Sequence, residues 1–233
     1  MKISGLQKMT LLDYPGKVAC TVFLGGCNFR CPFCHNGELL DGTVEAIMDE
    51  QEFLTFLSKR RGLLDAVCIS GGEPTLQPGL ARLLEQIKAM GYLTKLDTNG
   101  SRPEILQDLV SRNLVDYVAM DIKNSPDLYD WTAGAPVQLQ KIGESICFLT
   151  QEHVDYEFRT TVVAQLHSSE SVERMGEWVN SLAGGKKVKR WFVQPFADRD
   201  TVLFAGLCAP DAHHLSDYVS ILERFSLHSA VRG

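Results

Sequence analysis

The sequence predicts an α/β fold, an incomplete (β/α)6 barrel of parallel strands with crossover helices. Strand-like apolar runs alternate with helical patterns along nearly all of the 233 residues, as in a parallel sheet. About six strand and helix pairs are present, fewer than the eight of a complete TIM barrel. No linker, low-complexity segment or repeat of fixed period interrupts them. We therefore expect one TIM-like domain over residues 1–233, with a core barrel at about 17–195.

Three predicted strands in the first half of the chain are apolar runs, two of which stop at turn residues. These strands are Val18 to Leu24, Ala66 to Ser70 and Leu93 to Thr98. Each is followed by a segment with apolar residues at helical spacing. These helices are Asp49 to Arg60, Pro78 to Gly91, and one that carries Ile105, Leu106, Leu109 and Val110.

The second half of the chain repeats the alternation. Its predicted strands are Tyr117 to Ile122, Tyr156 to Val163 and Val188 to Gln194. Its predicted helices carry Leu139, Ile142 and Ile146, then Val172, Met175, Val179 and Leu182, then, in a closing helix at about 210–226, Leu215, Val219 and Leu222. Side chains that act on a ligand sit at the carboxyl ends of the strands in such folds, and this expectation guides the search for a site.

Composition excludes several functional classes. The chain has 23 Lys and Arg against 29 Asp and Glu, a net charge of −6, which argues against nucleic acid or anionic lipid as a partner. No apolar run approaches the ~18 residues that a membrane span needs, and the first residues lack the apolar stretch of a signal peptide. We expect a cytoplasmic protein without a membrane partner.

Three of the seven cysteines cluster in one loop, residues 25–36, called the cysteine loop below. Thiolates at Cys27, Cys31 and Cys34 can hold one metal centre from a single short segment. Iron–sulfur clusters usually take four cysteines, so three leave one iron open for chemistry. The alternatives are a zinc ion held by these cysteines and His35, and three cysteines that bind nothing.

The cysteine loop also resembles a known family. The order Cys27-Asn-Phe-Arg-Cys31-Pro-Phe-Cys34 resembles the signature of the radical S-adenosylmethionine superfamily. The flanking residues resemble the activating enzymes of glycyl-radical enzymes, most of all the anaerobic ribonucleoside-triphosphate reductase activating proteins. These residues are Tyr14-Pro15-Gly16-Lys17, Phe23-Leu24-Gly25-Gly26-Cys27 and Cys34-His35-Asn36. Later motifs follow in family order to about Gln194.

The resemblance implies a [4Fe-4S] cluster on Cys27, Cys31 and Cys34, with S-adenosylmethionine on the fourth iron and Phe33 beside the cofactor. Reductive cleavage of the cofactor would give a 5′-deoxyadenosyl radical that removes a hydrogen from a glycine of a partner glycyl-radical enzyme. The protein would bind, orient and exclude water. Electrons would come from an external flavodoxin or ferredoxin, because no second cysteine-rich segment is present.

Further cofactor-binding residues are implied at the ends of predicted strands. Gly71-Gly72-Glu73 would bind the amino group of the methionine moiety, since glycine lets a backbone approach closely. Asp97, Thr98 and Asp121 would lie beside the cofactor and could hold a monovalent cation, while Asn99 and Lys123 would face its polar groups. The alternatives are ordinary turns at these motifs and a surface position for Lys123.

Arg159 lies among strand formers, where a charged side chain needs a partner. The partner would be the carboxylate of the cofactor or an internal acid, Glu157 or Asp155. The last strand ends in Phe196-Ala197, where some pyruvate formate-lyase activators have tyrosine and histidine. This departure argues against the ribose contacts of that subgroup and against membership of it.

Two other functions remain open from the sequence. One is a radical enzyme that acts on a small molecule, such as a deazapurine synthase. The other is a non-catalytic cluster- or metal-binding module. Radical activation of a protein partner is the preferred interpretation, because the cysteine loop resembles the activators better.

Overall fold

A computed structural model describes residues 1–232, which divide into two compact units. The first unit contains residues 1–28, 38–98 and 104–118, and the second contains 29–37, 99–103 and 119 onward. Each unit contains four neighbouring strands of mostly parallel sheet. The predicted α/β class is confirmed.

The first unit has six strands and three helices, except that Pro103, the first residue of the third helix, counts with the second unit. The strands are β1 (Lys2–Ile3), β2 (Gly5–Thr10), β3 (Ala19–Leu24), β4 (Met48–Asp49), β5 (Ala66–Gly71) and β6 (Leu93–Thr98). The helices are α1 (Glu50–Ser58), α2 (Leu80–Ala89) and α3 (Pro103–Ser111). Strand order is β2-β3-β5-β6, with β2 antiparallel to β3 and the others parallel, while β1 pairs with β4.

Local signals explain where these elements begin. Helix α1 begins after Asp49, whose carboxylate accepts from the Glu52 amide while Glu52 reaches back to the Asp49 amide, a capping box. Helix α2 begins at Leu80 rather than at the predicted Pro78, because a short 3-10 turn, Pro74–Leu76, comes first and Gly79 is the N-cap. Strands β3 and β5 are largely buried, as expected for parallel strands in an α/β fold.

The second unit contains the remaining elements. Its strands are β7 (Tyr117–Asp121, of which the first two residues count with the first unit), β8 (Asp155–Val162), β9 (Trp191–Pro195) and β10 (Ser229–Val231). Its helices are α4 (Tyr129–Ala133), α5 (Leu139–Thr150), α6 (Ser169–Leu182) and α7 (Ala212–Leu222). Strand order is β7-β8-β9-β10, and β9 runs parallel to both β8 and β10.

All six predicted strands are present, and two predicted bounds need correction besides the start of α2. The closing helix ends at Leu222 rather than near residue 226, and strand β9 begins at Trp191 because Val188 makes only an isolated bridge to Ser226. Strand β2, strand β10 and helix α4 were not predicted; β2 is an exposed strand at the end of the sheet, and the other two are very short.

Within residues 1–232, no helix is both long and apolar enough to cross a membrane.

Candidate functional site

The cysteine loop begins in the first unit with Cys27 and continues in the second with Cys31 and Cys34. Cys31 is only 6% exposed and Cys34 is half-buried, and burial raises the pKa of both thiols. The Cys34 amide donates to the Cys31 carbonyl over 3.0 Å, which closes a tight turn between them. No disulfide bond joins cysteines in the described part of the chain.

Two neighbouring segments of the second unit hold this part of the loop by its backbone. The Arg30 amide donates to the Ala133 carbonyl at the end of α4 over 2.8 Å, and the Phe204 amide donates to the Pro32 carbonyl over 3.3 Å. Gly134 follows α4 with a φ of +64°, and a Cβ atom there would lie 2.1 Å from the Arg30 oxygen. Only glycine fits, because both the conformation and the close approach exclude a side chain.

His35 contacts the segment that follows β9. Its Nε2 lies 2.8 Å from the Ala197 carbonyl oxygen, and its ring stacks on Phe196 with centroids 5.7 Å apart. Burial lowers the pKa of this imidazole. His35 therefore fixes the segment after β9, including the Phe196-Ala197 pair that the sequence analysis singled out.

The Gly71-Gly72-Glu73 segment packs on the chain's own backbone. A Cβ atom on Gly72 would lie 2.1 Å from the Gly26 oxygen, and one on Gly71, whose φ is +117°, would lie 2.3 Å from the Leu24 oxygen. The Glu73 amide donates to that same Gly26 oxygen over 2.8 Å. These glycines bring the segment against the start of the cysteine loop, a role that the sequence analysis had given to ligand approach.

Glu73 is a buried carboxylate, 1% exposed. Its Oε1 accepts from the Thr75 amide (3.1 Å), the Thr75 hydroxyl (2.5 Å) and the Thr98 hydroxyl (2.8 Å). The predicted residues Glu73 and Thr98 are thus brought together by a direct hydrogen bond.

Asp97 forms an ion pair with Lys95, two residues earlier on the same strand. The Lys95 side chain is 2% exposed and that of Asp97 is 15% exposed. Asn99, the next predicted site residue, is buried in the second unit, and its Oδ1 accepts from the Ser101 amide over 2.9 Å.

Asp121, Lys123 and Arg159 form a second ion-pair cluster, wholly in the second unit. Lys123 Nζ lies 2.9 Å from Asp121 Oδ2, and Arg159 Nε lies 3.1 Å from Asp121 Oδ1. Burial alone would raise the pKa of Asp121, but the two cations hold it at about 2. The pKa of Lys123 is raised: its burial opposes the charged form, and the nearby Asp121 carboxylate outweighs that effect.

This cluster decides two alternatives. The Lys123 side chain is only 13% exposed and lies over the Phe33 ring, 5.9 Å from its centroid, so the surface alternative is wrong. Arg159 pairs with an internal acid, Asp121, which the sequence analysis had not named as its partner. Asp155 pairs with Lys189 and Arg190, and Glu157 pairs with Arg232.

Two residues beside the site were missed by sequence reasoning. Lys95 is an inward-facing lysine in a strand. The signal that could have identified it is the presence of a charged residue inside the run Leu93 to Thr98. Tyr129 is a fully buried phenol in α4, and its pKa is raised by burial, against the opposing effect of the Lys123 charge. Helix α4 falls in a stretch that the sequence analysis had left without an element.

The comparisons with known proteins agree with these motifs. The family model described as the radical SAM superfamily matches residues 21–144, more than half of the chain. The chain belongs to the radical SAM superfamily. This membership makes it an enzyme, so the non-catalytic module is excluded, and radical SAM proteins use a [4Fe-4S] cluster and S-adenosylmethionine.

Two curated relatives of this radical SAM enzyme differ in how much of the chain they cover. A protein of Methanocaldococcus jannaschii, provisionally named a glycyl-radical enzyme activating enzyme, is 31% identical over 99% of this chain and 95% of its own length. The 7-carboxy-7-deazaguanine synthase of Neisseria meningitidis serogroup B is 35% identical, over 46% of this chain and 45% of its own.

Among solved structures, Streptococcus suis SuiB bound to S-adenosylmethionine has a TM-score of 0.65 to the radical SAM enzyme described here. It is 13% identical and covers 91% of this chain and 52% of that chain. Such a likeness shows the fold alone, and it fits the predicted incomplete barrel.

The residues of the cysteine loop fit an iron–sulfur cluster. Cysteine thiolates are the ligands such clusters take, and the Lys123 charge acts on Cys31 while that of Arg30 acts on Cys34. Among residues 1–232, no three histidine, cysteine or acidic side chains surround one ion position. A [4Fe-4S] cluster needs no such arrangement, because each thiolate binds a different iron.

Proposed function

We propose that this radical SAM enzyme activates a glycyl-radical enzyme by removing a hydrogen atom from one of its backbone glycines. The similarity to the Methanocaldococcus jannaschii protein carries this proposal, because it extends over 99% of the chain. Similarity to the deazaguanine synthase stops at about half of the chain, so it supports shared cofactor chemistry and not a shared substrate.

Cys27, Cys31 and Cys34 would hold the cluster. When bound and reduced by one electron, the cluster and S-adenosylmethionine together supply a 5′-deoxyadenosyl radical. Cys31 and Cys34 are free thiols joined by a backbone hydrogen bond in a tight turn, and Cys31 is buried. The electron would come from a flavodoxin or ferredoxin.

The residue types at two strand ends support different roles toward the methionine moiety of the cofactor. Glu73 would accept from the ammonium group, because a carboxylate forms strong hydrogen bonds with charged donors. Lys123 and Arg159, which hold Asp121, would donate to the carboxylate group. Asp97, Thr98, Asn99 and Phe33 would complete the binding site, and Gly71 and Gly72 would position Glu73.

The partner would be an anaerobic ribonucleotide reductase or a formate-lyase-like enzyme. Both would present a glycine-bearing loop as the substrate. Two exposed apolar side chains, Trp131 at 71% and Phe204 at 59%, belong to the segments that hold the cysteine loop. Their exposure supports contact with a protein substrate.

The experiment is anaerobic reconstitution of wild type, Cys31→Ala and Cys208→Ala, followed by addition of S-adenosylmethionine, a reductant and each candidate partner. Cys208 is exposed and outside the cysteine loop, so its variant is the matched control. We expect about four iron atoms per chain, 5′-deoxyadenosine, and a glycyl-radical signal in one partner. All three should be retained in Cys208→Ala, while both products should be absent in Cys31→Ala.

Cofactor cleavage without a radical in either partner, but with turnover of a small molecule, would favour the deazapurine-type alternative. A fully loaded cluster that cleaves no cofactor under strong reductant would contradict the proposal.

A further inference from the structure

A row of three polar side chains crosses the interior of the first unit. Strand register aligns Thr21 of β3 with Cys68 of β5, and Cys68 with Lys95 of β6. Aligned residues of neighbouring parallel strands point to the same face of a sheet. Each of the three is at most 2% exposed. The row thus places the long Lys95 side chain inside the protein.

A buried lysine needs a negative partner, because removing its charge from water is costly. Cys68 does not supply that charge, since burial raises the pKa of its thiol to about 12. Asp13 also acts on the row, and its Oδ2 accepts from the Thr21 hydroxyl over 2.5 Å. The carboxylate that pairs directly with the Lys95 ammonium is Asp97.

The sequence analysis named Asp97 as one of the residues that could hold a monovalent cation. A carboxylate attracts such a cation through its negative charge, and here the ammonium already balances that charge. The Lys95 ammonium approaches Asp97 along strand β6, because Lys95 precedes Asp97 by two residues and lies on the same face of the strand.

We propose that Lys95 is an internal replacement for a monovalent cation, a positioning residue that neutralises Asp97 and holds it at the end of β6. Binding of S-adenosylmethionine is then independent of K⁺ and Na⁺. This inference rests on the proposed function only in assigning Asp97 to the cofactor site.

The first measurement is the dissociation constant of S-adenosylmethionine for the cluster-loaded, unreduced enzyme. It is compared in K⁺ and in N-methylglucammonium at equal ionic strength. Wild type should bind equally well in both. Lys95→Met should bind about tenfold more weakly in the organic cation, the loss expected for one charged hydrogen bond, and should recover when K⁺ or methylammonium is added.

The second measurement is the thermal midpoint of the metal-free chain, which needs no cofactor. Wild type should show no K⁺-specific shift, whereas Lys95→Met should be stabilised specifically by K⁺ or methylammonium. Lys88→Met is the matched control, because it removes another lysine–aspartate pair of the same unit, Lys88 with Asp116 at 2.6 Å. It should lose stability without any cation-specific recovery.

If wild type needs K⁺ to bind the cofactor, the proposal is overturned. This result does not depend on the folding of any variant. A folded Lys95→Met that responds to no cation in either measurement would overturn it as well. If wild type binds no cofactor while Lys95→Met still gains a cation-specific midpoint shift, the role of Lys95 stands and the proposed function fails.

Discussion

Glu73 and Asp121 are both carboxylates at the ends of parallel strands, yet the chain surrounds them differently. Glu73 accepts hydrogen bonds from hydroxyl and amide groups, whereas Asp121 lies between an ammonium and a guanidinium. The same residue type after a parallel strand is thus fixed by hydrogen bonds in one unit and by ion pairs in the other.

The largest effect is expected for the glycine segment before Glu73, because its position depends on a close backbone contact. Gly72→Ala would place a Cβ atom 2.1 Å from the Gly26 oxygen, so the segment must move away from the cysteine loop. We expect destabilisation of about 1–3 kcal/mol and a large loss of iron from the reconstituted enzyme. Thermal denaturation and iron analysis measure both.

Gly143→Ala is the control for that change. Gly143 lies in α5, and its added Cβ would be 3.6 Å from Leu182, an ordinary contact. It should be neutral or stabilising, by up to about 1 kcal/mol, because alanine favours helix. Normal iron loading in Gly72→Ala would show that the close backbone contact is dispensable.

The next effect tests the positive cluster. Arg159→Met removes one of the two cations on Asp121, and we expect the affinity for S-adenosylmethionine to fall about tenfold to a hundredfold. Arg159→Lys should restore part of it. Arg190→Met, which removes a more exposed arginine from Asp155, is the control and should bind normally. Equal affinities in Arg159→Met and Arg190→Met would remove Arg159 from the cofactor site.

His167 holds the backbone of Lys123, so the stability of the segment that carries Lys123 depends on pH. His167 Nε2 donates to the Lys123 carbonyl over 2.9 Å, and Nδ1 accepts from the Val163 amide over 3.1 Å. Burial lowers the pKa of His167, so the folded chain favours the neutral ring. Its contribution is complete above the unfolded pKa of about 6.5 and is lost as pH falls below that value.

The free energy of unfolding should fall below pH 6.5 by at most about 1.4 kcal/mol per pH unit from this residue. Chemical denaturation from pH 7.5 to 5.5 measures the slope. His167→Gln should show a smaller slope than wild type, and identical slopes would contradict the assignment. His35, whose pKa is also lowered, remains in both proteins and so cancels in the difference.

The smallest effect is expected for a single neutral donor. Thr98→Val removes the 2.8 Å hydrogen bond to Glu73 but leaves both Thr75 donors. It should cost about 1 kcal/mol of stability and change cofactor affinity less than Arg159→Met does. If Thr98→Val weakened cofactor binding more than Arg159→Met, the electrostatic comparison of the two groups would be wrong.

Sequence patterns predicted the strands that carry the site because apolar runs and turn residues are local signals. Leu93 to Thr98 was predicted with the bounds that the structure has, and the site motifs fall at strand ends as expected. Strand β2 escaped because its exposed, polar residues do not form an apolar run.

The partners of the site residues could not be predicted in the same way. Arg159 meets Asp121 across the β7–β8 pairing, where the Ile122 amide donates to the Arg159 carbonyl, and the two residues are 38 positions apart. Lys95 faces inward on a strand buried on both faces, so no polar alternation marks its direction. Pairing and direction follow from register, which is set by the whole sheet.

Gly134 links the cysteine loop to helix α4 in a way that hydrogen exchange can observe. The Arg30 amide donates to the Ala133 carbonyl at the end of α4, and Trp131 of the same helix is exposed. Ordering of the loop by its cluster should slow exchange at Arg30, and the same bond fixes the end of α4. Exchange at the Arg30 amide therefore reports on the end of α4 as well as on the cysteine loop.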